Sequence, residues 1–377
     1  MRPAHVAGVG VSEFGKFPDV SLPTLVADSV QAAMADADMS NVDAIYLGNV
    51  YGSSGIGPRA LSSLHAAGVP IVTIEAACAS STLAFIEASW AVSTGRYETV
   101  LVVGCEQLSS RFSGGIRPNS ADPEGHAGLV LPALYAMAAN RYIEYYGLTH
   151  EQLAMVSVKN HENGAKNPRA QYRRAVTLDE VMNSPMIADP LTLLQCCPIS
   201  DGSASAVITA RDHPKGILIA GYKLGSGGLW DYASPHVWGY DLVSRVALDV
   251  YRDLGITPLE IDLFEVHDAF TIGEIVTTEA LGLAEIGCGG MFVESGASGL
   301  DGKSPVNPSG GLLSKGHPLG ATGLSQVTEV VLQLRDEAGD CQVDGARRGM
   351  VETMGGGVSM VDGNACGVIV LENNRAQ

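Results

Sequence analysis

Basic residues are scarce in this chain. It has 377 residues, with 23 Lys and Arg against 41 Asp and Glu, for a formal charge of −18. Binding nucleic acid requires clustered Lys and Arg to meet the phosphates, so that class of partner is excluded. Any anionic ligand must be met by local positive groups against an unfavourable overall field. Cysteine is also sparse. The seven cysteines form no spaced framework, which excludes a disulfide scaffold and implies free thiols in a reducing compartment. The longer apolar runs are broken by Gly or a charge well short of a membrane span, so no membrane partner is expected. The opening segment, Met1–Gly15, lacks the apolar stretch of a signal peptide and reads as a first strand. These absences point to a cytoplasmic protein.

What is present is a globular composition, 46% hydrophobic and 17% charged, in a chain long enough for two core-bearing units. The 45 glycines suit tight turns and close backbone approach to ligands. Strand and helix patterns alternate from the start. His5–Val9, Ala44–Leu47, Val72–Ile74 and Thr99–Val103 read as strands, and Leu22–Ala37 and Ser80–Ser93 as helices. That order predicts an α/β fold with a mixed or parallel sheet covered on both faces. A Gly-, Ser- and Pro-rich loop and the helical pattern of Leu131–Tyr146 then depart from the sheet. The order of elements restarts near Gly216, with strands at Ile217–Ala220, Leu263–Val266 and Cys366–Leu371, and helices at Leu242–Leu254 and Ile272–Leu281. The expected division is 1–111 with 201–214 as an N-terminal half, 112–200 as a loop or lid excursion, and 215–377 as a C-terminal half. The shared order hints at a structural duplication.

Four places carry chemistry. Cys78 lies among small residues, after a strand and at the start of a helix, where free N–H groups and the helix dipole favour a thiolate. His267, in His267-Asp268-Ala269-Phe270, ends an apolar strand, where ligand sites of α/β sheets form. Asn307–Gly323 is rich in glycine and includes Gly316-His317-Pro318. Pro318 suits a first helical turn, which would keep His317 neutral beside a helix N-terminus. Thr353–Gly357 ends in three glycines whose N–H groups can face an oxyanion. Read singly, each also has an ordinary structural explanation: a buried thiol, a satisfied histidine, a Gly/Pro loop and a turn. Cys105 and Glu106 are further candidates for a pocket wall. His126 and His161 read as surface or lid residues, Asp201 as a cap and Cys366 as core.

Taken together and in this order, the four places resemble the thiolase family over nearly the whole chain. Met186–Leu194 and Cys196–Ala204 add to the resemblance. It implies a layered αβαβα thiolase fold of two duplicated halves. It also implies an acyl-enzyme on Cys78, with His267 and His317 as catalytic partners. Gly356 and Gly355 are expected at the oxyanion, and Asn307, Ser314 and Gly316 about the substrate. The implied substrates are CoA thioesters, acyl-CoA and acetyl-CoA, with no bound cofactor and no metal. A homodimer or tetramer is expected, along with a zinc-ribbon and OB-fold accessory protein. His267-Asp268-Ala269-Phe270 is similar to sterol-carrier-protein-X type and archaeal acetoacetyl-CoA thiolases, the first of which usually has Cys where Ala269 stands. The chain departs from familiar thiolases at Thr353, where a second catalytic cysteine is usual. The leading expectation is acetyl-CoA C-acetyltransferase. An aromatic C-acyltransferase, an aldolase of steroid CoA esters and a non-catalytic subunit of a complex remain as alternatives.

Overall fold

The computed structural model describes residues 1–64, 68–231 and 233–374. The chain opens with β1 (His5–Val11), α1 (Leu22–Asp36), β2 (Ala44–Gly48), α2 (Ile56–Ala60), β3 (Ile71–Ile74), α3 (Ser80–Ser93) and β4 (Thr99–Gln107). Next come α4 (Pro123–His126), α5 (Leu131–Tyr146), α6 (His150–Lys166), α7 (Leu178–Met182) and the short pair β5 (Met186–Ala188) and β6 (Leu191–Thr192). The chain rejoins the sheet at β7 (Asp201–Thr209) and continues through β8 (Ile217–Gly225), α8 (Tyr240–Leu254), β9 (Leu263–Glu265) and α9 (Thr271–Ala280). It ends with α10 (Gly289–Glu294), α11 (Gly311–Lys315), α12 (Thr322–Leu334), β10 (Arg348–Gly355) and β11 (Ala365–Glu372).

The main sheet has the order β3-β2-β4-β7-β1-β8-β11-β10-β9. From the β1–β8 seam outward, both directions read alike. On one side, β7 is antiparallel to β1 and to β4, and β4, β2 and β3 are parallel. On the other, β11 is antiparallel to β8 and to β10, β10 and β9 are parallel, and Val306 bridges to Phe264 in parallel. The chain thus uses one βα plan twice. In that plan α3, which follows β3, corresponds to α12, which follows Val306.

Composition explains the layering. α3 carries small or apolar residues on almost every face, as a helix between the two halves of the sheet must. It packs on strands of both halves and on α12, and both helices join one continuous apolar core. α1 and α8 cover the outer faces, each over its own apolar cluster. The result is five layers, αβαβα. The residues between β4 and β7 leave the sheet, and α5 and α6 pack instead against α9 over a separate core.

Candidate functional site

Cys78 lies in the turn from β3 to α3. Ala77 before it adopts φ 49°, a left-handed conformation that an L-residue takes only under constraint. The constraint is local. Ser80 Oγ accepts from the Ala76 N–H at 2.9 Å and donates to the Ala77 carbonyl at 2.6 Å. The second half braces the turn, because Gly355 packs against the Ala76 carbonyl so closely that a Cβ there would stand 2.2 Å from the oxygen. Gly355 is therefore a steric requirement behind the turn and lines no part of the main cavity. Gly356 does line it, and its N–H, with that of Cys78 itself, faces the sulfur.

His267 follows β9, and its backbone N–H donates to Glu352 Oε2 at 3.0 Å. Its ring is buried, and neither ring nitrogen has a partner among the described residues. His317 follows α11. Its backbone N–H donates to Ser200 Oγ at 2.9 Å, and its Nδ1 lies 2.7 Å from Thr322 Oγ1. The two rings meet edge to face, with centroids 5.2 Å apart. The Cys78 sulfur and one nitrogen of each ring all lie within 4.8 Å of one another. Residues nearly 240 positions apart in the chain thus converge: Cys78 follows β3 and His317 follows the Val306 segment, corresponding places in the two halves, and His267 follows β9, which pairs with that segment.

Burial dominates the electrostatics. It pushes the Cys78 thiol up to about 12, against partial relief from the Cys78 and Gly356 N–H groups. This corrects the expectation of a thiolate favoured by the helix start, since desolvation exceeds that benefit and the sulfur rests as a thiol. Burial also depresses His267 to about 4. It holds His317 well below the usual imidazole range, aided by the proximity of His267 and the Lys315 cation. Both rings are neutral at pH 7. His317 is neutral as expected, but a short turn, Leu319–Ala321, stands between Pro318 and α12, and the chief cause is burial.

These groups open onto a cavity of about 580 Å³. Leu108, Ile116 and Leu319 form an apolar wall with Cys78. Ala269 and Phe270 add to the lining from the second half, and Lys16 and Arg117 bring positive charge. Tyr51, Tyr135 and Trp238 line it too and were not anticipated, since lone aromatics in separate segments carry no spacing signal. Thr322 lies inside the Asn307–Gly323 segment, and its i+5 offset from His317 was the available clue.

Several expected contacts fall elsewhere. Asn307, Ser314 and Gly316 line no part of the cavity. Asn307 is fully buried, with its Oδ1 accepting from the Val266 N–H at 2.9 Å and its amide donating to Glu274 at 2.8 Å. It holds the strand leading to His267. Ser314 donates to the Tyr172 carbonyl at 2.7 Å, and Tyr172 lines the cavity in its place. Gly316 has φ 111°, and a Cβ there would crowd Gln171 and Ser200. Cys105 and Glu106 lie behind the wall, where Glu106 accepts from the Val50 N–H at 2.9 Å. His161 is buried in α6, contrary to a surface reading. Thr353 lies within β10 and does not reach the cavity. Its hydroxyl accepts from Thr82 at 2.8 Å and donates to Gln326 at 2.6 Å, between α3 and α12. Cys196 and Cys197 are free thiols at the cavity wall.

Known proteins share this sequence and architecture. Residues 5–212 match the family model "Thiolase, N-terminal domain", and residues 234–364 match "Thiolase C-terminal domain-like". The chain is 41% identical over 371 residues to an acetyl-CoA acetyltransferase of Methanothermobacter thermautotrophicus, covering 94% of this chain and 97% of that one. It is 35% identical over 390 residues to human sterol carrier protein 2, covering 96% of this chain and 71% of that one. Among solved structures, the Ltp2-ChsH2(DUF35) aldolase superposes with a TM-score of 0.84 at 28% identity, covering 100% of this chain and 99% of that one. Human mitochondrial 3-ketoacyl-CoA thiolase superposes at 0.74 and 17% identity, over 99% of each chain, a likeness of fold. Two family models that together span most of the chain, on a fold built twice from one βα plan, establish that it belongs to the thiolase family.

Proposed function

We propose that this protein is an acetyl-CoA C-acetyltransferase, joining an acyl group held on Cys78 to the methyl carbon of acetyl-CoA, or running the reverse thiolysis. The observation that carries this reading is the meeting of the Cys78 sulfur with the His267 and His317 nitrogens at the wall of the cavity.

The thiol needs a base, because burial keeps it protonated. Thr322 Oγ1 donates to the Pro318 carbonyl at 3.1 Å, so it accepts from His317 Nδ1–H, and the free lone pair is on Nε2. His317 Nε2 takes the Cys78 proton as sulfur attacks the thioester carbonyl. The N–H groups of Cys78 and Gly356 hold the oxyanion. The departing CoA sulfur takes the proton from His317, which leaves the base neutral again. Acetyl-CoA then enters, and His317 removes a methyl proton. His267 donates to the thioester oxygen as enolate charge develops, using a ring nitrogen that has no other protein partner. Carbon attack on the acyl-enzyme expels the Cys78 sulfur, which takes the proton back from His317, and gives a 3-ketoacyl-CoA. CoA thioesters are the substrates, with no bound cofactor. Lys16 and Arg117 supply local positive charge for the phosphates of CoA, despite the acidic chain.

Residues 1–111 with 201–214 form one half and 215–377 the other, with 112–200 as a lid. The working assembly is a homodimer or a dimer of dimers, supported by β3, an edge strand that exposes Val72. A small zinc-ribbon and OB-fold protein assists it. This is supported by the solved relative that includes a DUF35 component. Among the described residues no helix is long and apolar enough to cross a membrane, and a cytoplasmic location is proposed with that.

Intact-protein mass spectrometry after brief exposure to a panel of acyl-CoAs tests the reading. One acyl adduct is expected, mapping to Cys78. Label confined to Cys196, Cys197 or Cys288 overturns it.

A further inference from the structure

We infer that Cys78, His267 and His317 also form a binding site for a thiophilic divalent cation, Zn2+ above all, and that its occupancy shuts the enzyme off. One donor atom from each residue lies within 4.8 Å of the other two, and all three side chains are buried. One thiolate and two imidazoles make a donor set that zinc favours, and three protein ligands with an open fourth position are its usual arrangement at reactive sites. Here the fourth position faces the cavity, where water can complete the coordination.

A second observation points to a ligand. Both ring nitrogens of His267 are buried and have no partner among the described residues. A buried donor or acceptor left unmet is costly, and a cation at this place would satisfy one nitrogen. His317 is prepared differently. With Nδ1 held by Thr322, Nε2 is left to ligate, the pattern in which an outer hydrogen bond orients a ligating imidazole.

The fit requires a small contraction. Bonds of about 2.3 Å to sulfur and about 2.1 Å to nitrogen place tetrahedral donors about 3.4–3.6 Å apart, roughly an ångström closer than the outer limit seen here. The His267 ring can supply the movement, since no protein hydrogen bond holds it. The exchange is balanced without any redox partner. The cation replaces the proton on the Cys78 sulfur, and the proton leaves to solvent. Because one ion would occupy both nucleophile and base, metal binding and acylation exclude each other.

Cobalt is the visible probe. Titration of the purified enzyme with Co2+ is expected to give one tight site per chain, with a thiolate-to-cobalt charge-transfer band and the strong visible bands of four-coordination. Cys78→Ser should lose the charge-transfer band. His267→Ala and His317→Ala should each weaken binding by about tenfold or more. Prior acylation should suppress the band, and Zn2+ should displace Co2+ one for one. An undiminished band in Cys78→Ser, or no band at tenfold excess Co2+, overturns the inference. The inference uses the same residues as the proposed reaction but fails separately. Acylation without a cobalt band defeats the metal site alone, and a cobalt band without acylation defeats the acyltransferase reading alone.

Discussion

His317 Nδ1 and Thr322 Oγ1 lie 2.7 Å apart across the start of α12, and this contact decides which nitrogen of the ring can act as a base. Replacing the hydroxyl frees the ring to change tautomer and to swing. Thr322→Val is expected to slow Cys78 acylation by about ten- to a hundredfold, with little change in KM. Thr322→Ser should recover most of the rate. Rapid-quench mass spectrometry reads both, and an unchanged rate in Thr322→Val would refute the role.

The pH dependence follows from the buried rings. Protonating His317 removes the base, and its folded-state value lies well below 6.5. The acid limb of kcat/KM should therefore fall below pH 6.5, and acylation should persist where an exposed histidine is already charged. An acid limb centred at or above 6.5 would contradict it.

Stability has its own pH signature at His267. The folded value is depressed to about 4 from an ordinary 6.5, so the folded protein binds fewer protons than the unfolded chain between those values. This contribution is fully present above pH 6.5 and is lost as pH falls towards 4. Denaturation of wild type and His267→Asn at pH 7 and pH 5 should show wild type losing more stability on acidification.

Exchange of the acetyl-CoA methyl protons with deuterated solvent separates the candidate bases. His317→Asn is expected to abolish it. Thr353→Ala should keep most of it, since Thr353 faces the α3–α12 interface. The same variant should lose about 1–3 kcal/mol of stability, because Thr82 and Gln326 lose a shared partner. The reverse pattern of exchange would reassign the base to the Thr353 strand.

Asn307 offers a purely structural test. Asn307→Ala strands the buried Val266 N–H and leaves Glu274 Oε2 with Asn160 as its remaining amide donor, and is expected to cost about 1–3 kcal/mol. Chemical denaturation measures it, and a loss below about 0.5 kcal/mol would show that the pair is not needed.

The sequence disclosed elements whose faces are chemically uniform. The helices at Ser80–Ser93 and Leu131–Tyr146 were readable, because apolar residues recur along each at helical spacing and a glycine follows within two residues of each end. The last strand of the second parallel set was not. Arg348–Gly355 includes Glu352, Thr353 and two glycines; no strand was expected there, and only its end was read, as the start of the Thr353–Gly357 glycine loop. It is a strand because β9 and β11 flank it, and Thr353 finds Thr82 and Gln326 from distant segments. Cys78, His267 and His317 were visible as motif residues. The places of Asn307 and Ser314 were not, because their partners, Glu274 and Tyr172, are set by tertiary packing that spacing does not encode.

The use of one βα plan twice has a consequence for the newly made protein. Synthesis delivers Cys78 early, while His267 and His317 belong to the last third of the chain. A nascent chain that has completed only β7 carries Cys78 without either histidine and without the glycine brace behind Ala76. The three side chains therefore come together only when the second unit closes over the Cys78 turn, so a chain that stops short of it holds the cysteine but no site.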